Sequence, residues 1–217
     1  MELADLTNLI ETRRSIRRWQ DREVPEELLT QAVDIATWAP NAGNEQNWRF
    51  YIITNRDTIK AIADAMQTRA DRVSSWPEAE KFRTDVTRWR ERVSFFRSAP
   101  AAIAVATGQY QSLVDKLLAA REKDDPYARE MRQWRNIANS RIQSTASAIA
   151  YLLLVLHQMG LGAVWMTGPM QAKGDIEKIL RLSQGMDFVA FIPVGYSADT
   201  PSPKHHRPIA EVCEIVR

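Results

Sequence analysis

The sequence predicts an α+β fold, with an α/β fold as the alternative, because helical patterns alternate with a few short apolar runs. The chain has 217 residues, of which 45% are apolar and 26% are charged, as in ordinary globular proteins. That length can bury a sizeable core, and it favours one domain over residues 1–217. The single cysteine, Cys213, excludes an intramolecular disulfide framework and suits a reducing compartment.

Four apolar or β-rich runs are the strand candidates, and seven segments have helical patterns. The strands are predicted at 48–54, 101–106, 161–165 and 188–196. The helices are predicted at 3–12, from Pro25 to the stop at Pro40, and at 57–67, 79–97, 110–121, 127–159 and 173–182. The helix over 79–97 rests on apolar residues spaced 4, 3, 4, 3, from Phe82 to Phe96. The long helix over 127–159 is closed by Gly160.

Charge and hydropathy exclude several classes of protein. The 29 basic and 27 acidic residues are nearly balanced, so a nucleic-acid partner is not expected. Residues 142–172 carry no charged side chain, but their apolar centre is too short to span a membrane. The acidic N-terminus does not resemble a signal peptide, which predicts a cytoplasmic protein.

An arginine-rich segment is the first candidate site. Five arginines fall between Arg13 and Arg22, with Asp21 as the one acid among them. Guanidinium groups beside the Ser15 hydroxyl are suited to a phosphate monoester. A solvated basic turn is the alternative explanation.

An amide-rich loop, residues 39–50, is the second candidate site. It reads APNAGNEQNWRF and lies between a predicted helix and a predicted strand. Asparagine and glutamine can recognise planar heterocycles through paired donors and acceptors, although an ordinary capped turn has the same composition.

Common catalytic and metal motifs are missing from the sequence. Gly160 and Gly162 precede a strand and lack the third glycine of a dinucleotide fingerprint. The three histidines do not have the spacing of a helical zinc site, so no metal is expected. Cys213 has no evident activating partner, so no side-chain nucleophile is predicted.

Four segments in order resemble the FMN-dependent nitroreductase family. They are RRSIR, the loop APNAGNEQNWRF, the segment MGLGAVWMTGP and the C-terminal segment FIPVGYSADTPSPKHHRPIAEV. The resemblance implies a three-layer fold with a mixed sheet, in an entwined homodimer with two FMN sites at the interface. Residues 55–140 carry no family signature and would form the lid that selects the substrate.

The resemblance also assigns residues to FMN. The phosphate, ribityl chain and pyrimidine edge would be held by Arg13, Arg14, Ser15 and Arg17. The ring would be covered from the partner chain by Pro40, Asn41, Ala42 and Asn44. The turn beside flavin N5 would consist of Met166, Thr167 and Gly168, and Ser144 would approach the flavin edge. The tail would return to the phosphate through Lys204, His206 and Arg207.

The implied activity is a ping-pong oxidoreductase reaction. NADH or NADPH would deliver a hydride to flavin N5, and an electron-poor aromatic acceptor, such as a nitroaromatic or a quinone, would then take the electrons. Related reactions on this fold are the alternatives: dehalogenation, enone reduction or flavin destruction. A flavin-binding protein without catalysis and a flavin-free helical interaction protein are the non-enzymatic alternatives.

Two positions depart from the family pattern. Asn47 stands where the family usually has proline before the tryptophan, which weakens the assignment of that turn. His206 stands where an arginine is common, and the adjacent Arg207 is the candidate replacement.

Overall fold

A four-stranded sheet lies between two layers of helices in a computed structural model, which describes residues 2–202 and 205–217. The strands are β1 (Trp48–Ile53), β2 (Ala101–Gly108), β3 (Gly162–Ala163) and β4 (Met186–Gly195). Their order across the sheet is β1-β2-β4-β3, and the three strand pairs are antiparallel. The predicted α+β fold is confirmed.

Eight α-helices surround the sheet in the described residues. They are α1 (Leu3–Thr12), α2 (Glu26–Ala36), α3 (Arg56–Ser74), α4 (Arg83–Arg92), α5 (Leu113–Arg121), α6 (Pro126–Ala138), α7 (Ser140–Gln158) and α8 (Lys173–Leu180). None of the helices in the described part of the chain is long and apolar enough to cross a membrane.

The two faces of the sheet carry separate hydrophobic cores. Successive side chains of a strand point to opposite faces, so Ala102 and Ala104 of β2 join one core while Ile103 and Val105 join the other. Helices α3 and α8 cover the first face, and α2 and α7 cover the second. The outcome is the three-layer arrangement that the resemblance implies.

The predicted helix over 79–97 is wrong as a continuous element. Helix α4 occupies 83–92, and short 3₁₀ turns precede and follow it at Pro77–Phe82 and Phe95–Ser98. Phe95 stacks on Trp19 with ring centroids 6.2 Å apart, whereas Phe96 packs on Phe191 at 4.9 Å. The two adjacent rings pack against different partners, which favours the 3₁₀ turn at Phe95–Ser98 over a continued α-helix. The spacing of apolar residues in the sequence does not reveal this.

The predicted helix over 127–159 is interrupted at Asn139. This residue has a left-handed backbone (φ 38°), and its N–H donates to Arg135 O at 2.9 Å, which ends α6. Its side-chain oxygen accepts from the N–H of Ile142 and so caps the start of α7. One asparagine therefore separates two helices whose apolar patterns run together in the sequence.

The edge at β3 is shorter than predicted and is completed by another segment. The predicted strand over 161–165 is reduced to Gly162–Ala163. Ser15 forms a parallel bridge with Ala163, and Trp19 forms an antiparallel bridge with Ser197. The named strands all pair antiparallel. The parallel pairing that the predicted mixed sheet requires occurs only at the bridge between Ser15 and Ala163 in the described residues.

Candidate cofactor-binding site

The arginine-rich segment lies along the β3 edge of the sheet. The N–H of Ile16 donates to Ala163 O at 3.1 Å, beside the bridge between Ser15 and Ala163. Ile16 is buried directly against Gly162, where an added Cβ would lie 2.6 Å from Ile16 Cγ1. The absence of a side chain at Gly162 therefore allows the segment to approach the sheet this closely.

The guanidinium groups of this segment have no acidic partner. Within the described residues, no carboxylate forms an ion pair with Arg13, Arg14, Arg17 or Arg18. Arg14 Nη1 donates to the carbonyl oxygens of Glu11 and Arg13, and Arg17 Nη1 donates to Ser15 O at 3.4 Å. Partial burial, together with the charge of Arg14, lowers the pKa of Arg13. An anion bound here would offset this concentration of positive charge.

His157 lies at the same end of the molecule. Its Nε2 is 3.0 Å from Thr12 Oγ1. The Thr12 hydroxyl donates its proton to Asn8 O at 2.6 Å, so Nε2 is assigned as the donor to Thr12. Burial lowers the pKa of His157, and the charges of Arg13 and Arg14 lower it further. The imidazole is thus favoured in its neutral form beside the arginines.

The turn that follows β3 lies on the same edge as the arginines. Met166 and Phe191 exchange two backbone hydrogen bonds of 3.0 Å, which tie the turn to β4. Met166 is half-buried, whereas Thr167 and Gly168 are exposed. Met166 packs against the core that contains Ile16. The fold therefore brings together the first and third groups of predicted FMN residues.

The amide-rich loop is held against the N-terminal part of α7. Asn41 Oδ1 accepts from the N–H of Gln46 at 2.9 Å, and Asn41 Nδ2 donates to Ala39 O at 3.3 Å. Gly43, Asn44 and Gln46 all have left-handed backbones, with φ of 61°, 53° and 45°. Such conformations cost non-glycine residues about 1 kcal/mol or more, so the surrounding contacts must stabilise them.

One chain does not bring the loop and the arginines together. Helix α7 contacts the loop at Ser144 and the end of α1 at His157. Thirteen residues of helix separate these two contacts, which corresponds to about 20 Å. The strand order gives the same separation, because the loop leads into β1 at one edge of the sheet and the arginines lie beside β3 at the other edge.

Ser144 is buried and bonded within its own chain. Its hydroxyl oxygen accepts from the N–H of Ala42 at 3.0 Å and donates to Ser140 O at 2.9 Å. The structure therefore places Ser144 under the amide loop. A direct contact of Ser144 with the flavin edge stays a prediction.

The C-terminal tail leaves the sheet beside the arginines. Ala198 N–H donates to Arg18 O at 3.0 Å, and Gln20 N–H donates to Tyr196 O at 2.9 Å. His206 and Arg207 are exposed, and Lys204 lies outside the described residues. The start of the tail is consistent with a return to the phosphate, which stays a prediction for all three side chains.

The prediction that residues 55–140 form a lid is wrong for part of that segment, because α3 packs in the core and β2 lies inside the sheet. The rest of the segment exposes aromatic side chains. Trp76 and Trp134 are more than half exposed, whereas Trp89 packs against the core beneath α3. Helices α5 and α6 form a hairpin joined by the ion pair between Asp115 and Arg135, which holds the pKa of the Asp115 carboxyl well below its usual range. Two of the three tryptophans therefore remain accessible to a substrate or to another chain.

Sequence reasoning missed several residues that build this site. Ile16, Trp19 and Gly162 seat the arginine segment, and His157 lies against Thr12 at its start. Gly162 belongs to an incomplete dinucleotide motif in the sequence, but its contact with Ile16 joins residues 146 positions apart. No local pattern could have revealed that pairing.

Comparison with known proteins finds similar sequences and structures along most of the chain. The sequence model of the Nitroreductase family matches residues 10–196. A protein of Methanothermobacter thermautotrophicus, described as a candidate NADH dehydrogenase/NAD(P)H nitroreductase, is 31% identical, with 91% of this chain and 80% of that protein covered. Among solved structures, a BluB-like flavoprotein from Clostridium difficile has a TM-score of 0.85 at 27% identity, with both chains fully covered. An iodotyrosine deiodinase bound to FMN and 3-iodo-L-tyrosine has a TM-score of 0.66 at 27% identity, covering 98% of this chain and 97% of its own.

The extent of these matches identifies the family. The family match begins within α1 and ends just after β4, so it includes the arginine segment, the amide loop and the turn after β3. The relative at 31% identity is matched over most of both chains. The chain therefore belongs to the Nitroreductase family.

Proposed function

We propose that two copies of this chain form a homodimer with two FMN sites, which passes electrons from NAD(P)H to an electron-poor aromatic acceptor. In each site one protomer supplies the arginine segment and the turn after β3. Its partner supplies the amide loop. The relatives support this proposal, since one carries the name NAD(P)H nitroreductase and a solved neighbour holds FMN.

The observation that carries the proposal is the cluster of guanidinium groups along the β3 edge, which have no acidic partner in the described part of the chain. Partial burial and the neighbouring charge of Arg14 lower the pKa of Arg13. A phosphate monoester supplies the missing negative charge and accepts several charge-assisted hydrogen bonds. The donor groups of this edge therefore fit the phosphate end of FMN.

The side chains of this chain would bind and orient the cofactor. Bound FMN would supply the redox chemistry, accepting a hydride from the nicotinamide and passing electrons to the acceptor. Arg14 and Arg17 would place positive charge beside the pyrimidine edge, which stabilises the negative charge that reduction adds there. Because Thr167 and Gly168 are exposed, NAD(P)H and then the acceptor would have room to approach the same face of the flavin ring.

The distance between the two halves of the site supports the homodimer. About 20 Å of α7 separates the amide loop from the arginine segment within one chain. Next to the loop, Trp38 is 83% exposed, and Ile35 and Tyr151 are also exposed. Such an apolar surface favours a covering partner.

Flavin absorption provides the first test. Purified protein, loaded with FMN if necessary, is expected to be yellow and to bleach when NADH or NADPH is added without oxygen. Addition of a nitroaromatic or a quinone should then restore the oxidised spectrum. A protein that takes up no FMN would contradict the proposal.

Complementation between two defective variants tests the shared site. Arg13→Gln/Arg14→Gln impairs the phosphate half, and Asn44→Asp impairs the loop half. When equal amounts of the two variants are mixed and their subunits pair at random, about half of the dimers contain one subunit of each variant. If the two halves of a site come from different chains, one site in each mixed dimer is intact, which is about one quarter of all sites. If both halves came from one chain, mixing would restore no FMN binding.

Reductive dehalogenation is the second candidate function, because the FMN-bound neighbour is an iodotyrosine deiodinase. The two functions differ in the acceptor, so reduced protein should be offered 3-iodo-L-tyrosine and a nitroaromatic side by side. Release of iodide would favour dehalogenation. The amount of intact FMN should be measured before and after turnover in air, because loss of flavin would instead indicate a flavin-destroying enzyme.

A further inference from the structure

Two serines of α7 hold the start of the amide loop. Ser144 Oγ accepts from the N–H of Ala42 at 3.0 Å. Ser147 Oγ lies 2.6 Å from Pro40 O and 2.7 Å from Ser144 O, so its single proton is shared between these two carbonyl acceptors. The serines are three residues apart, so both lie on the same face of the helix. The loop is thus anchored through two backbone groups that lie two residues apart.

The hydrogen bonds within α7 orient the Ser144 hydroxyl. Its single proton is donated to Ser140 O at 2.9 Å, which leaves an oxygen lone pair free for the N–H of Ala42. The hydroxyl therefore acts toward the loop purely as an acceptor. An alanine at this position would leave the Ala42 N–H without that partner.

The other end of the loop is also seated on α7. Ala148 is fully buried against Ala39, the first residue of the loop, and Trp48, where β1 begins. Between these anchored ends, Gly43, Asn44 and Gln46 protrude in left-handed conformations. Asn44 and its neighbours are exposed, so the anchors determine where the tip of the loop is presented.

We propose that Ser144 and Ser147 are positioning residues. They fix the amide loop in the position where it covers the flavin ring bound by the partner chain. This inference rests on the proposed function. On this proposal Ser144 acts through the loop, instead of through the direct contact with the flavin edge that the family resemblance implies. Loss of either hydroxyl should weaken the part of flavin binding that depends on the ring.

The experiment compares FMN with riboflavin, which has the ring and no phosphate. Ser144→Ala should weaken binding of both flavins by the same factor, about tenfold, as expected for one lost hydrogen bond in a part-buried position. Ser147→Ala should weaken binding of both flavins by a smaller common factor, because its bond to Pro40 O is exposed to solvent and shares its proton with Ser144 O. Flavin fluorescence quenching measures both dissociation constants. Ser74→Ala is the matched control, because the Ser74 hydroxyl donates to Ala70 O within its own helix and contacts no loop backbone.

Two further readouts separate positioning from general stability. Amide hydrogen exchange at Ala42 should accelerate in Ser144→Ala while the melting temperature of the flavin-free protein changes little. Ser144→Thr, which keeps the hydroxyl, should restore both the Ala42 exchange rate and the flavin affinity.

Wild-type affinity for both flavins in the two alanine variants would overturn the inference, as would an effect on FMN alone. If the wild-type protein bound neither flavin, the proposed function would fail, and the Ala42 exchange rate would still report whether Ser144 anchors the loop.

Discussion

The indole Nε1 of Trp19 donates a hydrogen bond to the carbonyl oxygen of Gly162, at 2.9 Å and away from solvent. The two residues are 143 positions apart. Together with the contact between Ile16 and Gly162, this bond fixes the arginine segment against β3. The candidate phosphate site therefore depends on a strand of two residues.

Gly162→Ala should destabilise the protein and displace the arginine segment. The new Cβ would lie 2.6 Å from Ile16 Cγ1, and overpacking of this kind costs about 1–3 kcal/mol of the free energy of unfolding. Chemical denaturation measures the loss. Gly174→Ala in α8 is the matched control, since no atom beyond its own stretch of helix lies within 4 Å of its added Cβ, and it should be neutral or stabilising. Equal stability of the two variants would contradict the close packing.

Arg13→Gln should weaken FMN binding and leave riboflavin binding nearly unchanged. A charge-assisted hydrogen bond contributes about 1.5–3 kcal/mol, which corresponds to a loss of roughly 10- to 100-fold in affinity. Isothermal titration with both flavins measures the difference. Arg72→Gln, at an exposed arginine of α3, is the control for the change in net charge. A loss of the same size for riboflavin would show that Arg13 does not act on the phosphate.

His157→Gln should reduce the acid sensitivity of the flavin-free protein. Burial and the neighbouring arginines hold the pKa of His157 below 6.5 in the folded state. The unfolded chain therefore binds more protons as the pH falls through 6.5, and the free energy of unfolding decreases. Denaturation at pH 7 and at pH 5 should show a smaller loss in the variant than in the wild type. His205→Gln, in the exposed tail, should behave as the wild type.

Asn139→Ala should destabilise the junction between α6 and α7 by about 1–2 kcal/mol. The alanine loses the cap on Ile142 and is strained at a positive φ. Asn139→Gly tolerates that backbone conformation and should cost only a few tenths of a kcal/mol. The order of the two melting temperatures distinguishes this junction from an uninterrupted helix, in which alanine would be the better residue.

Local patterns were sufficient for most elements of the fold. Helix α1 has the predicted bounds, and strands β1 and β2 begin at the predicted residues 48 and 101. Helix α3 extends to Ser74, beyond the predicted 67, because Met66 and Ala70 continue its buried stripe. The predictions failed where tertiary contacts decide, as at Phe95 and Phe96, whose rings pack against different partners.

The sequence by itself determined the α+β class of fold and the two chemical signatures, the arginine segment and the amide loop; the three layers followed from the resemblance to the family. It could do so because secondary structure and binding chemistry are expressed by residues close together in the chain. Only the tertiary structure decided that Gly162 seats Ile16 and that Ser144 holds Ala42. It also showed that the two signatures lie about 20 Å apart along α7. The contacts of Gly162 and of Ser144 join residues more than a hundred positions apart, so they arise only when the sheet and its two helical layers pack.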